Sequence, residues 1–172
     1  MYNNLNNLCS AKASSPTDNI LNEYIKNTKN IMLPIYTKLF NCIFDTGCIP
    51  SSWLSGIIIP IYKNKGNPSE ATNYRPITIL SCLGKLFTSV LNNRLTNYLN
   101  ANDILHQNQA GFRKGYSCQD HIFSLHSIIE ILRQKKKKIF CAFIDFSSAF
   151  DKVHRTSLWQ KLLIYAINGK II

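Results

Sequence analysis

Ile139-Phe140-Cys141-Ala142-Phe143-Ile144-Asp145-Phe146, continued by Ser147-Ser148-Ala149-Phe150-Asp151, is the stretch on which the fold turns. Neither face of the first part is polar before Asp145, so the pattern predicts a central strand covered on both sides and ending in a carboxylate. An ionised carboxylate is costly to desolvate without a partner. One at the mouth of an apolar strand is therefore expected to face a cation, a metal ion or hydrogen-bond donors. Mg2+ suits such a position, because it takes hard oxygen ligands and commonly uses one or two carboxylates together with substrate phosphates. Two plainer readings stand beside this one. Asp145 could cap a following helix, and Asp151 could pair with Arg155 four residues on. The chain holds only nine acidic residues, so two of them in one seven-residue window is a concentration worth following.

Upstream of this stretch lies the basic run Arg133 to Lys138, broken only by Gln134, which reads as a solvated hairpin or linker. Before it, Ile122, Leu125, Ile129 and Leu132 predict a helix over about 119–134, and Leu86, Phe87, Val90, Leu91, Leu95, Tyr98 and Leu99 predict a longer one over about 84–100. The apolar face of this longer helix, Leu86 to Leu99, is expected to be core. Between the two helices sits the polar, glycine-bearing segment 107–115. Further back, residues 56–62 and 74–80 read as two short strands around a basic tip, with Pro60 arguing for an edge or a bulge. The rows Ile35, Leu39, Ile43 and Tyr36, Phe40, Phe44 predict a helix from about Ile31, with Pro34 near its start and Gly47 just past its end. Downstream, a last helix is expected over about 156–167, reaching Gly169. Tyr98, Trp53 and Trp159 each lie among apolar residues and are read as packing groups.

The length, 172 residues and 19.6 kDa, suits one domain or part of one, and 45% hydrophobic against 17% charged residues excludes a disordered chain. The longest nearly uncharged apolar run, 56–62, is far too short to cross a bilayer, and residues 1–15 lack the pattern of a secretory signal. Six cysteines without a C-x-x-C pair read as reduced thiols inside a cell, and the expected location is intracellular, in nucleus or cytoplasm, not secreted. Charge is unevenly placed. Residues 1–60 hold 4 Lys and Arg against 3 Asp and Glu, whereas 61–172 hold 16 against 6, an asymmetry that favours a polyanionic partner.

Three segments, in order, carry a family resemblance. Phe143-Ile144-Asp145-Phe146-Ser147-Ser148-Ala149-Phe150-Asp151 resembles the first palm motif of reverse transcriptases in the form typical of non-LTR (LINE-type) retrotransposons. Asn73-Tyr74-Arg75-Pro76-Ile77, followed by Leu80-Ser81 and Gly84-Lys85, resembles the fingers motif of that family. Gln109-Ala110-Gly111-Phe112-Arg113-Lys114-Gly115 resembles its Q-x-G-F-R-x-G segment. The likeness implies an α+β fold, the helix-rich fingers and partial palm of a right-hand polymerase with a truncated sheet. It spans residues 14–172 behind a flexible arm of 1–13.

The resemblance also implies roles. Asp145 would be the catalytic carboxylate and a ligand of the catalytic Mg2+, with the backbone carbonyl of Phe146 as a further ligand. Arg75 would contact the triphosphate of the incoming deoxynucleotide, helped by Lys63 and Lys65, and Phe150 would lie beneath its sugar and exclude a 2′-hydroxyl. Gln109, Gly111, Phe112, Arg113 and Lys114 would contact the RNA template or DNA primer. Each has a plainer alternative: a core phenylalanine for Phe150, solvated loop lysines for Lys63 and Lys65, and a glycine-rich connection between helices for 109–115.

The sequence departs from the family in two ways. In the family, further metal-binding carboxylates come from a later Asp-Asp turn, yet each of the six aspartates here is followed by Asn, Thr, Ile, His, Phe or Lys. Serine also stands at a usual glycine position in the stretch Lys12 to Ile20. The expectation is an RNA-directed DNA polymerase segment that is inactive by itself. The alternatives are a non-catalytic nucleic-acid-binding module and a non-functional retroelement remnant.

Overall fold

The protein is described by a computed structural model over residues 20–167. The arm of 1–13, most of the Lys12 to Ile20 stretch and the Gly169 stop lie outside the described residues. The elements run α1 (Asn22–Asn27), α2 (Lys29–Thr46), β1 (Ile57–Tyr62), β2 (Tyr74–Ile79), α3 (Cys82–Ala101), α4 (Cys118–Gln134) and α5 (Arg155–Ile164). Single 3-10 turns lie at Ser51–Trp53 and Ala71–Asn73. The class is α+β, rich in helix, with one small antiparallel sheet among the described residues. Two compact units divide between Tyr98 and Leu99.

The first unit owns the core. Helix α2 begins at Lys29, two residues before the expected start, so Pro34 sits inside it and removes the hydrogen bond its N–H would have donated one turn back. Its end is as expected. Gly47 takes φ +74°, the left-handed conformation that costs glycine nothing, and its N–H donates to the Ile43 carbonyl at 2.8 Å. The buried face, Tyr36, Phe40 and Ile43, meets Leu86, Phe87 and Val90 of α3 together with Ile25 and Cys82. Phe87 is the hub, with ring centroids 5.2 Å from Phe40, 5.3 Å from Phe44 and 5.8 Å from Trp53. The Arg94 guanidinium lies 4.2 Å from the centre of the Phe44 ring, so a cation covers the rim of the cluster. Only the first half of the α3 face is buried, and Tyr98 is exposed where the sequence suggested packing.

Strands β1 and β2 pair in the register Ile57↔Ile79, Ile59↔Ile77, Ile61↔Arg75, with Pro60 opposite Pro76 and Tyr62 opposite Tyr74. Each is an edge, which is where a strand proline is tolerated. Alternation places Arg75 on one face with Ile57, Ile59, Ile61, Ile77 and Ile79, and both tyrosines on the other.

The second unit is built differently. Helix α4 starts as a helix should, with the Asp120 carboxylate accepting from the Ser117 N–H at 2.8 Å and from its hydroxyl at 3.2 Å. No residue of α4 or α5 is buried, however, so the face Ile122, Leu125 and Ile129 stands in solvent rather than in a core, and Trp159 is exposed rather than packed. Three helix ends share one motif. Asp103, Lys136 and Ala166 adopt φ of +48°, +52° and +58°, and the N–H of each and of the following residue folds back onto the last helical turn.

Candidate active-site residues

The apolar run 139–146 does not form the expected central strand. It has no regular secondary structure and no strand partner among the described residues, and Phe140 and Phe143 are 93% and 85% exposed. The physical reason is pairing. A strand with two apolar faces is stable only when neighbours take its N–H and C=O groups and layers cover both sides, and the described residues supply neither.

Asp145 ends this run exposed, and among the described residues its carboxylate makes no hydrogen bond or ion pair. The capping alternative fails for a geometric reason. Residues 147–152 form turns, and the next α-helix starts at Arg155, capped by His154, whose Nδ1 accepts from the Ser157 N–H at 3.3 Å. Asp151 likewise forms no ion pair with Arg155 among the described residues. The turn bends at Ser148, φ +53°, whose carbonyl accepts from the N–H groups of Asp151 and Lys152, both at 3.1 Å. The Lys152 ammonium donates to the Ser147 hydroxyl at 3.2 Å and ties the turn across its mouth.

Phe150 is 78% exposed, which removes the core alternative. Its ring stands edge-on to that of Phe112, centroids 6.0 Å apart. Phe112 is itself 95% exposed at φ +61°, a conformation that a bulky side chain rarely adopts. Beside it, the Arg113 guanidinium turns inward on its own segment, donating to the carbonyls of His106 at 3.2 Å and Gln109 at 3.4 Å and lying 4.5 Å from the centre of the Tyr116 ring. Gln109 donates to the Gly111 carbonyl at 3.4 Å, and Lys114 is exposed. The segment 107–115 is a folded knot of turns with Phe112 at its apex.

In the first unit Lys63 and Lys65 lie on the hairpin tip and Arg75 stands in the adjoining strand β2, opposite Ile61. The side chains of Arg75 and Lys65 are exposed and make no hydrogen bond or ion pair among the described residues. The Lys63 ammonium donates to the Thr72 carbonyl at 2.7 Å, and its backbone N–H to the Asn73 carbonyl at 2.8 Å. Sequence reasoning named Asn73 and Tyr74 within the fingers motif and Tyr62 as a strand end, but gave none of them a role. The signal was present in the pairing of two tyrosines at the ends of two strands around an Asn- and Gly-containing loop.

Residues 61–172, which hold all three motifs and both groups of exposed side chains, match the reverse transcriptase (RNA-dependent DNA polymerase) family. The chain belongs to the reverse transcriptase family. Its relatives point to the LINE-type branch. It is 32% identical over 154 residues to the "Probable RNA-directed DNA polymerase from transposon BS" of Drosophila melanogaster, covering 88% of this chain and 17% of that protein. It is 28% identical over 152 residues to the RNA-directed DNA polymerase from mobile element jockey of the same species, with 88% and 16% covered. A third relative is the retrovirus-related Pol polyprotein from type-1 retrotransposable element R2 of Nasonia vitripennis, 28% identical over 124 residues, with 72% and 12% covered. This reverse transcriptase chain thus spans about a sixth of the length of the first two.

Asp145 and the Phe146 carbonyl do not make a metal site by themselves. Among the described residues no three of His, Cys, Asp and Glu come together as a cation's ligands, and holding two ions in line for phosphoryl transfer takes several carboxylates. None of the described helices is long and apolar enough to cross a membrane.

Proposed function

We propose that this reverse transcriptase region supplies the fingers and the first palm segment of a right-hand RNA-directed DNA polymerase, a partial domain over 14–172 behind an arm of 1–13. Its substrates are an RNA template, a DNA primer and deoxynucleoside triphosphates, and its working place is the cytoplasm, the nucleus or both. The supporting observation is the uncommitted, exposed carboxylate of Asp145 at the entrance of a tight turn that also presents Phe150. An aspartate with a structural job would be paired or capping, and this one is neither.

Asp145, with the Phe146 carbonyl, offers oxygen ligands to a divalent ion, for which Mg2+ is the chemical match, and other carboxylates complete that site. Arg75 suits the triphosphate because its planar fork binds phosphate oxygens in pairs, and Lys63 and Lys65 add positive charge beside it. Phe150, exposed on the turn that follows Asp145, would be the ring that bars a 2′-hydroxyl. The turns of 109–115 bring backbone, Gln109, Phe112, Arg113 and Lys114 to the template or primer, Arg113 through the firmness it gives the loop.

The test is primer extension by the polymerase that contains this region. Asp145→Asn is expected to remove extension by several orders of magnitude while primer-template binding stays within about twofold, since a neutral isostere loses only what the charge contributes. Equal loss of binding would make Asp145 structural. The 172-residue chain alone is expected not to extend a primer, and template-dependent synthesis abolished by the same substitution would overturn that expectation. The charge asymmetry of 16 basic against 6 acidic residues over 61–172 favours a second reading, a module that grips nucleic acid without chemistry.

A further inference from the structure

We infer that Asn73 is the positioning residue of the hairpin tip, that Lys63 serves with it as a brace, and that Lys65 and Arg75 are the cations the braced tip presents to a triphosphate. This rests on the nucleotide reading above and goes beyond it by dividing the tip into residues that hold and residues that bind.

The tip connects Tyr62 to Tyr74 through eleven residues without a regular element except the Ala71–Asn73 turn, yet it is cross-tied throughout. The Asn73 side-chain amide donates to the Asn67 carbonyl at 2.9 Å and to the Glu70 carboxylate at 3.2 Å, so one group links three points of the loop. Gly66 passes beside it at φ +85°, and a Cβ there would lie 2.5 Å from the Asn73 amide nitrogen. Glycine is required on both counts. The two tyrosines close the base. Their rings are 5.3 Å apart, the Tyr62 hydroxyl donates to the Gly66 carbonyl at 2.5 Å, and the Tyr74 hydroxyl to the Pro68 carbonyl at 2.8 Å. Lys63 adds the last tie through Thr72.

Two consequences follow for charge. The Lys63 ammonium already has an acceptor, so using it on phosphate would break a tie, whereas Lys65 and Arg75 are uncommitted among the described residues. Glu70, the only acid between Tyr62 and Tyr74, is held by Asn73. Released, it would be free to approach Lys65 and cancel the charge that an anion needs. Asn73 therefore preorganises the seat in two ways: it stiffens the loop, which lowers the ordering cost of binding, and it restrains the competing carboxylate.

The experiment uses the 172-residue chain with inorganic tripolyphosphate as probe, which carries the phosphates without base or sugar. Affinity is read from amide shift changes of residues 63–75, and tip order from the 15N relaxation of the same amides. Asn73→Ala should weaken binding about fivefold or more, the scale of one lost hydrogen bond of ordinary net strength. It should also loosen the tip and leave the melting of the core unchanged. Lys65→Ala should weaken binding with the tip still ordered, and Lys63→Ala should loosen the tip.

If Asn73→Ala loosens the tip but binds as the parent does, Asn73 is merely structural and the inference fails. If Asn73→Ala binds as the parent does while Arg75→Ala weakens binding, the inference fails and the nucleotide reading stands. If the parent shows no saturable shifts at the tip, the nucleotide reading of this tip fails and the inference falls with it. If Lys63→Ala loses affinity with the tip still ordered, the division between brace and ligand is wrong.

Discussion

Phe87→Ala should remove a large share of the stability of the first unit. The ring is 2% exposed and has three aromatic neighbours, Phe40, Phe44 and Trp53, with centroids at 5.2 to 5.8 Å. Truncating a buried phenylalanine costs about 3 to 5 kcal/mol through lost transfer energy and the cavity left behind. Two of these neighbours come from α2 and one from the Ser51–Trp53 turn, so no single side chain can collapse into the space without leaving another contact. The cost belongs in the upper half of that range. A unit of this size is stable by roughly 4 to 12 kcal/mol, and each kcal/mol lost lowers Tm by about 4 to 8 °C. The chain offers a convenient reporter, because its two tryptophans lie one in each unit, Trp53 in the first and Trp159 in the second. In a Trp159→Phe background, urea unfolding followed by Trp53 fluorescence reports the first unit alone. A Phe87→Ala loss below about 1 kcal/mol would refute the argument, because it would mean the four rings are not what holds α2 to α3.

Gly47→Ala should destabilise the same unit by about 1 to 2 kcal/mol, the cost of placing a Cβ at φ +74°, measured by the same unfolding curve. Amide hydrogen exchange should separate the units: amides of α3 near Leu86 and Val90 should be protected close to the global limit, and those of α4 should exchange far faster, because none of its side chains is buried. Equal protection of the two helices would contradict the open second unit. Single-stranded RNA should bind the chain with a steep salt dependence, a log-log slope of about −3.5 if roughly five phosphates are neutralised. No binding at low salt would remove the polyanion argument.

Much of the architecture was legible in the order of residues. The two strands and their basic tip follow from isoleucine-rich runs around a Gly- and Pro-containing loop, and the three long helices α2, α3 and α4 appear within two residues of their predicted starts. Gly47 announced its helix end. The ends at Asp103, Lys136 and Ala166 did not announce themselves, because each left-handed position is filled by a residue other than glycine. At the candidate site, Asp145 stood out by type and spacing, whereas Arg75 and Phe150 were marked by the family resemblance. The brace around Asn73 did not, since a hydrogen bond across six residues to a backbone carbonyl leaves no periodic trace.

The sequence by itself determined the family, the long helices and the hairpin between them, and the cluster of charge, because each is written in local pattern: period, punctuation and motif. Tertiary structure decided which apolar faces are core. Tyr36, Phe40 and Ile43 of α2 and Leu86, Phe87 and Val90 of α3 find each other and are buried, while the equally apolar faces of α4 and of residues 139–146 find no partner among the described residues. Hydrophobic pattern states that a face seeks cover, and burial requires a second surface at the right place. It also decided how Lys63 and Arg113 are held, since a cation's occupation depends on which carbonyls the folded backbone brings within reach.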